Sequence, residues 1–191
     1  MSAIVRIALS IGLLLLTSTI GVALDVTKAK ETKLGKYMTA REAYEIVKSE
    51  PGKTLFVDVR TRAELMFVGM THMIDGHVPF VEMNEFGEWD EANARYKLDV
   101  VSAFSQSVEK LLAAKGLTKS DRVILMCRSG DRSARAVNAL ADAGFTNAWS
   151  QIDGFEGDLS KEGRRDVNGW KKESLPWTYK LDKSKVYLPP R

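Results

Sequence analysis

The sequence predicts an α/β fold: a parallel sheet with helices packed on both of its faces. Two observations carry this expectation. Residues 54–59 (Thr-Leu-Phe-Val-Asp-Val) and 122–126 (Arg-Val-Ile-Leu-Met) are continuous apolar runs, as suits strands covered on both sides. Segments with helical spacing separate and follow these runs, and strands that alternate with helices form parallel sheets.

The elements follow in order. Thr39 with Glu42 three residues on makes a capping box. Ala43, Ile46 and Val47 then recur at helical spacing until Pro51-Gly52 ends the helix. The first strand comes next, followed by a short helix over 61–68. Residues 69–76 are Met-rich and unpatterned, and 77–81 read as a short extended piece. Residues 84–99 are polar and aromatic, as expected of a long surface loop. Ser102 is the expected cap of a helix with an apolar face of Phe104, Val108, Leu111 and Leu112, stopped by Gly116. The second strand, 122–126, leads to a helix over 133–143 ended by Gly144, and 148–150 is a third short strand. From Gly154 the chain is turn-rich. Asp153, Glu156 and Asp158 approach calcium spacing without a matching loop and read as a turn. Trp170, Trp177 and Tyr179 are expected to pack the end of the chain onto the domain.

A length of 191 residues suits one domain and a targeting segment. Lys and Arg number 28 against 25 Asp and Glu, a net charge of +3 that argues against a nucleic-acid binder. Arg6, an apolar stretch over 7–16 and the small residues around Gly21-Val22-Ala23 form the pattern of a secretory signal peptide cut after Ala23. The expected layout is a signal peptide over 1–23, a loose, polar, Lys-rich leader over 24–36, a domain over 37–179 and a tail over 180–191. The protein is then exported, to the periplasm, and it meets a membrane only if the first segment stays uncut. Cys127 is the only cysteine, so no internal disulfide can form. A lone Cys in an exported chain is a reactive thiol or an intermolecular partner, set against the plainer reading of an inert core residue.

Chemistry concentrates in Cys127-Arg128-Ser129-Gly130-Asp131-Arg132-Ser133. The cysteine ends a buried strand, at the sheet edge where open α/β folds bind ligands. The loop leads into a helix N-terminus, whose free N–H groups and dipole favour an anion. Gly130 lets the backbone turn inward. Arg128 and Arg132 add positive charge, with Arg135 one turn on. Each feature favours thiolate over thiol, so Cys127 is the expected nucleophile. The N–H groups from Arg128 to Ser133 are the expected cradle for an anionic donor. Ser129 and Ser133 can donate hydrogen bonds, although Ser133 is also placed to cap the helix; Asp131 is expected to face solvent.

This loop resembles the active-site loop of single-domain rhodaneses. Other pieces agree in order: 56–61 (Phe-Val-Asp-Val-Arg-Thr) with Glu64, Gly76-His77-Val78-Pro79, the stretch from Gly144-Phe145 to Gly154-Phe155, and Gly169-Trp170-Lys171 with Leu175-Pro176-Trp177. The resemblance spans about residues 37–179. It implies a rhodanese-like fold with a five-stranded parallel sheet, no cofactor and a sulfurtransferase reaction. In that reaction Cys127 takes the outer sulfur of thiosulfate or a similar donor as a persulfide. It then passes that sulfur to cyanide, a thiol or a protein acceptor. The segments 65–75 and 84–99 are longer than in simple rhodaneses, and both are candidates for the pocket rim.

Two rivals need weighing. A cysteine phosphatase places Arg six positions after its Cys to fork onto phosphate; here that position is Ser133. A non-catalytic sulfur-carrier, redox or copper-binding module is the other, because Met66, Met70, Met73, His72 and His77 supply ligands that suit copper. The plainer reading is that these Met residues fill gaps in a core. Asp58 and Arg60 read as a structural polar pair below the site.

Overall fold

The computed structural model describes residues 26–83 and 86–188. Its main sheet has five parallel strands: β1 (Tyr37–Met38), β2 (Thr54–Asp58), β3 (Gly76–His77), β8 (Arg122–Met126) and β9 (Ala148–Gln151), in the order β1-β9-β8-β2-β3. The central pair runs in register from Thr54 beside Arg122 to Asp58 beside Met126.

Alternate strand residues point to opposite faces, and each face has its own core. Leu55, Val57, Val123, Leu125 and Cys127 pack on α3 (Phe104–Ala114) and α4 (Asp131–Asp142). Phe56, Ile124 and Met126 pack with Trp170 on α1 (Ala40–Ser49) and α2 (Arg62–Val68). Both central strands are therefore covered twice, which explains their unbroken apolar sequences.

Capping boxes start α1, at Thr39 and Glu42, and α2, at Thr61 and Glu64. Three sequence expectations need correction. Ser102 does not cap α3: the cap position is Ala103, with no side-chain bond, and α3 is held by buried Phe104, Val108 and Leu112. The helix after β8 starts at Asp131, two residues early, because Gly130 supplies a left-handed start that needs no side-chain cap. Segment 84–99 is more than a loop. Together with its flanks it forms two antiparallel ladders, β4 (Val81–Met83) with β7 (Leu98–Val100) and β5 (Trp89–Asp90) with β6 (Arg95–Tyr96). Trp89 packs edge-on against Tyr96.

The described segments on either side of the sheet's elements are fastened to the domain. In the leader, Lys30 Nζ donates to Asp158 and to the Ile152 carbonyl, the Lys33 N–H donates to Asn138, and Leu34 packs on the core. The described part of the leader is thus anchored rather than loose. Trp170 is fully buried, and Trp177 meets Phe155 and Tyr179 edge-on, as expected of the C-terminal aromatics. Beyond them, Lys185 Nζ donates to the carbonyls of His72 and Ile74. No helix among the described residues is long and apolar enough to cross a membrane. The segment 1–23, expected as a signal peptide, lies outside the described residues.

Candidate active site

The site is built where β8 hands over to α4. Gly130 sits at φ +98°, and a Cβ there would stand 2.1 Å from the Ile152 carbonyl oxygen, so only glycine fits. This turn aims the Gly130 N–H at Cys127 Sγ, 3.1 Å away. A second loop clamps the first from behind. Phe155 N–H donates to the Cys127 carbonyl at 2.8 Å, and the N–H groups of Glu156 and Gly157 donate to the Arg128 carbonyl. Gly154, at φ +71°, permits this approach, because a Cβ would lie 2.2 Å from the Arg128 carbonyl group.

Ser133 lies within the first turn of α4, fully buried. Its hydroxyl donates to the Gly130 carbonyl at 2.8 Å, and its oxygen lies 3.7 Å from Sγ, where it can accept from the thiol. It therefore supports the loop from beneath and does not line the cavity, contrary to its expected contact with a donor. The N–H groups of Ser129, Asp131 and Arg132 meet no protein acceptor among the described residues. They are the free donors of a helix start.

Cys127 is 1% exposed. It forms one wall of a cavity of about 70 Å³ lined also by Arg128, Ser129, Asp131, Arg132, Arg135, Arg95, Leu98 and Val81. That volume exceeds the roughly 10–15 Å³ needed for a water molecule and suits the end of a small anion. Beside it runs a groove of about 510 Å³ between α2 and the inserted ladders, and Arg95, Leu98, Arg128 and Arg132 belong to both. Of the two segments expected at the rim, 84–99 is present, through Arg95, Tyr96 and Leu98, whereas 65–75 contributes no lining residue.

The arginines divide by partner. Arg132 makes a two-pronged ion pair with Glu64, at 2.6 and 2.5 Å, across the gap between α4 and α2. Burial alone would raise the Glu64 carboxyl, but the Arg132 hydrogen bond and charge, the Thr61 N–H and Arg60 outweigh it and hold the group at about 2, against an ordinary 4.5. Burial works against the Arg132 charge as well; the Glu64 carboxylate and the neighbouring Cys127 sulfur override it and push the guanidinium upward. Arg132, expected to neutralise a donor, is thus already neutralised by Glu64. Arg128 has no ion-pair partner among the described residues, and its Nε is buried without an acceptor. Arg135 rests over the Phe80 ring, 5.5 Å from its centroid. Asp131 is exposed at the rim, as expected.

Glu64 and the inserted residues Arg95 and Leu98 were not evident as site residues. The Thr61–Glu64 capping box is visible in the sequence, but the partner of Glu64 is 68 positions away. For Arg95 and Leu98 the sequence points to the segment 84–99 but not to the individual residues.

Asp58 and Arg60 form the expected polar pair, fully buried. Arg60 also donates to the Gly69 carbonyl and stacks 3.8 Å from the Phe155 centroid. His77 is no partner for Cys127. Its Nε2 is 2.7 Å from the Arg60 carbonyl, and Nδ1 accepts from the Tyr187 N–H. Burial pushes its ring below the ordinary value, against the pull of Asp58. The copper ligands do not assemble. Met70 is fully buried with its sulfur accepting the Asp182 N–H, both His77 nitrogens are engaged, and Met66 is exposed on α2. Among the described residues no cluster of three or more His, Cys, Asp or Glu forms that could hold a metal ion.

Comparison with known proteins adds the following. The model of the Rhodanese-like domain family matches residues 39–161. An uncharacterized protein of Rickettsia rickettsii is 28% identical over 138 residues, which cover 72% of this chain and 93% of that protein. A crystal structure from M. tuberculosis is 28% identical with a TM-score of 0.56, covering 76% of this chain and 98% of the other. The polysulfide-sulfur transferase of Wolinella succinogenes is 21% identical with a TM-score of 0.44, covering 78% and 81%.

Proposed function

We propose that this chain, which belongs to the Rhodanese-like domain family, is a sulfurtransferase working through a Cys127 persulfide. One observation carries the reading: the Gly130 N–H points at Sγ while the unpaired Arg128 stands beside the same small cavity. There an anionic sulfur meets an N–H donor, the α4 N-terminus and a nearby cation.

The chemistry follows from that geometry. The Cys127 thiolate attacks the outer sulfur of thiosulfate or a similar sulfane donor. The new S–S bond forms as the donor's bond breaks, and sulfite leaves with the electron pair. The persulfide keeps the negative charge, facing the free N–H groups of Ser129, Asp131 and Arg132. Arg128 holds the donor's anionic end; Arg132, tied to Glu64, fixes α4 against α2 instead. Cyanide or a thiol then removes the outer sulfur and returns the thiolate. No step requires a cofactor.

The phosphatase alternative loses support from the same contacts. The position that would carry the phosphate-binding Arg is buried Ser133, and the neighbouring Arg132 turns to Glu64. We further propose export to the periplasm after cleavage behind Ala23, supported by the n-, h- and c-region pattern of the first 23 residues. Steady-state transfer from thiosulfate to cyanide tests the enzymatic reading: the wild type turns over and Cys127→Ser does not. Equal rates in the two would refute the nucleophile.

A further inference from the structure

The cavity over Cys127, about 70 Å³, is matched to a small anion, but the groove beside it, about 510 Å³, is not. Sites that enclose organic molecules measure about 300–1,000 Å³, and thiosulfate or cyanide would leave this groove almost empty. The groove owes its far wall to the inserted ladders, through Met83, Tyr96 and Leu98, and its near wall to the first turn of α2, including Ala63.

Two properties of these walls define an occupant. The first is apolar surface: Met83 is 48% and Tyr96 53% exposed, far more than a packed core residue, and exposed apolar patches mark binding surfaces. The second is charge. Arg62 is paired with Glu82 at 3.1 Å, and Arg132 with Glu64. Among the described residues Arg128 has no such partner, and Arg95 reaches Asp90 only at 3.9 Å. Arg95 and Arg128 both stand where the groove meets the Cys127 cavity.

We propose that this groove receives the sulfur acceptor, and that the acceptor is an organic thiol with an apolar body and an anionic group a few bonds from its sulfur. The proposal rests on the sulfurtransferase reading of Cys127. The anionic group lies between Arg95 and Arg128, the apolar body covers Met83 and Tyr96, and the sulfur enters the small cavity. There the acceptor thiolate attacks the outer sulfur of the Cys127 persulfide. The new S–S bond forms, the bond to Sγ breaks, and Cys127 departs as the thiolate. One sulfur atom moves to the acceptor, and no external oxidant or reductant is needed.

Calorimetric binding to the Cys127→Ser protein isolates this claim from catalysis. The probes are 2-mercapto-3-phenylpropanoate, mercaptoacetate, 2-phenylethanethiol and a short unstructured peptide with one cysteine. The first is expected to bind at least about tenfold tighter than each of the others, as burial of a phenyl group and pairing of a carboxylate predict. The Met83→Ser/Tyr96→Ala double variant, changed only at exposed side chains, is expected to remove the advantage over mercaptoacetate. Equal binding of those two thiols, an advantage that survives the double variant, or tighter binding of the peptide would overturn the assignment. Failure of thiosulfate to load wild-type Cys127 would instead sink the sulfurtransferase reading.

Discussion

Replacing Glu64 by Gln removes the charge that ties α2 to the active-site helix. In the folded protein the Glu64 carboxyl is held at about 2, against an ordinary 4.5. At about 1.4 kcal/mol per pH unit, that difference is worth about 3 kcal/mol, within reach of the 3–5 kcal/mol or so typical of breaking a buried ion pair. The side chains of Glu64 and Arg132 are only 16% and 11% exposed, so solvent screening takes little from this figure. The sign follows from linkage: the folded value lies below the unfolded one, so the stabilisation is complete above about pH 4.5 and is lost as pH falls towards 2. Urea unfolding of wild type and Glu64→Gln at pH 7 and at pH 2.5 measures it. The variant is expected to be about 3 kcal/mol less stable at pH 7, with most of the gap closed at pH 2.5. A difference below 1 kcal/mol at pH 7, or the same difference at both values, would refute the assigned pair.

Two further substitutions separate binding from scaffolding. Arg128→Gln is expected to raise the KM for thiosulfate at least about tenfold with little change in stability, because it removes a cavity cation that has no ion-pair partner among the described residues, and with it a charge-assisted bond worth roughly 1.5–3 kcal/mol; an unchanged KM would show that Arg128 does not hold the donor. Gly154→Ala forces a Cβ to 2.2 Å from the Arg128 carbonyl at a positive φ. We expect a loss of at least about 2 kcal/mol in unfolding free energy, from left-handed strain and displaced backbone, together with slower sulfur loading; wild-type values for both would contradict the clamp.

Legibility in the sequence followed the range of the interaction. The runs of β2 and β8 are written locally, because both faces of each strand are buried and the residues between their end positions are all apolar. The Thr39–Glu42 box is also local, so α1 was legible to within a residue. The turn between β8 and α4 was legible for a different reason. Cys127 at a strand end, Gly130 and the following helix define a strand–turn–helix corner within seven residues. What escaped depends on partners distant in sequence. The two-residue strand β1 has no periodicity of its own and exists because Tyr37 and Met38 pair with Ser150 and Gln151. The ladders of residues 81–100 are held by pairing such as Val81 with Val100, not by any alternation strong enough to read. Arg132 looked like a free cation because Glu64, which neutralises it, is brought near only by the packing of α2 beside α4. Ser133 looked like a cap because the left-handed turn at Gly130 has no side-chain signature.

Intact mass spectrometry of the purified protein after exposure to thiosulfate addresses the sulfur itself. The wild type should gain the mass of one sulfur atom, lose it on treatment with a thiol reductant, and show no gain when Cys127 is replaced by Ser. An unchanged wild-type mass, or a gain that persists in Cys127→Ser, would contradict a persulfide on Cys127.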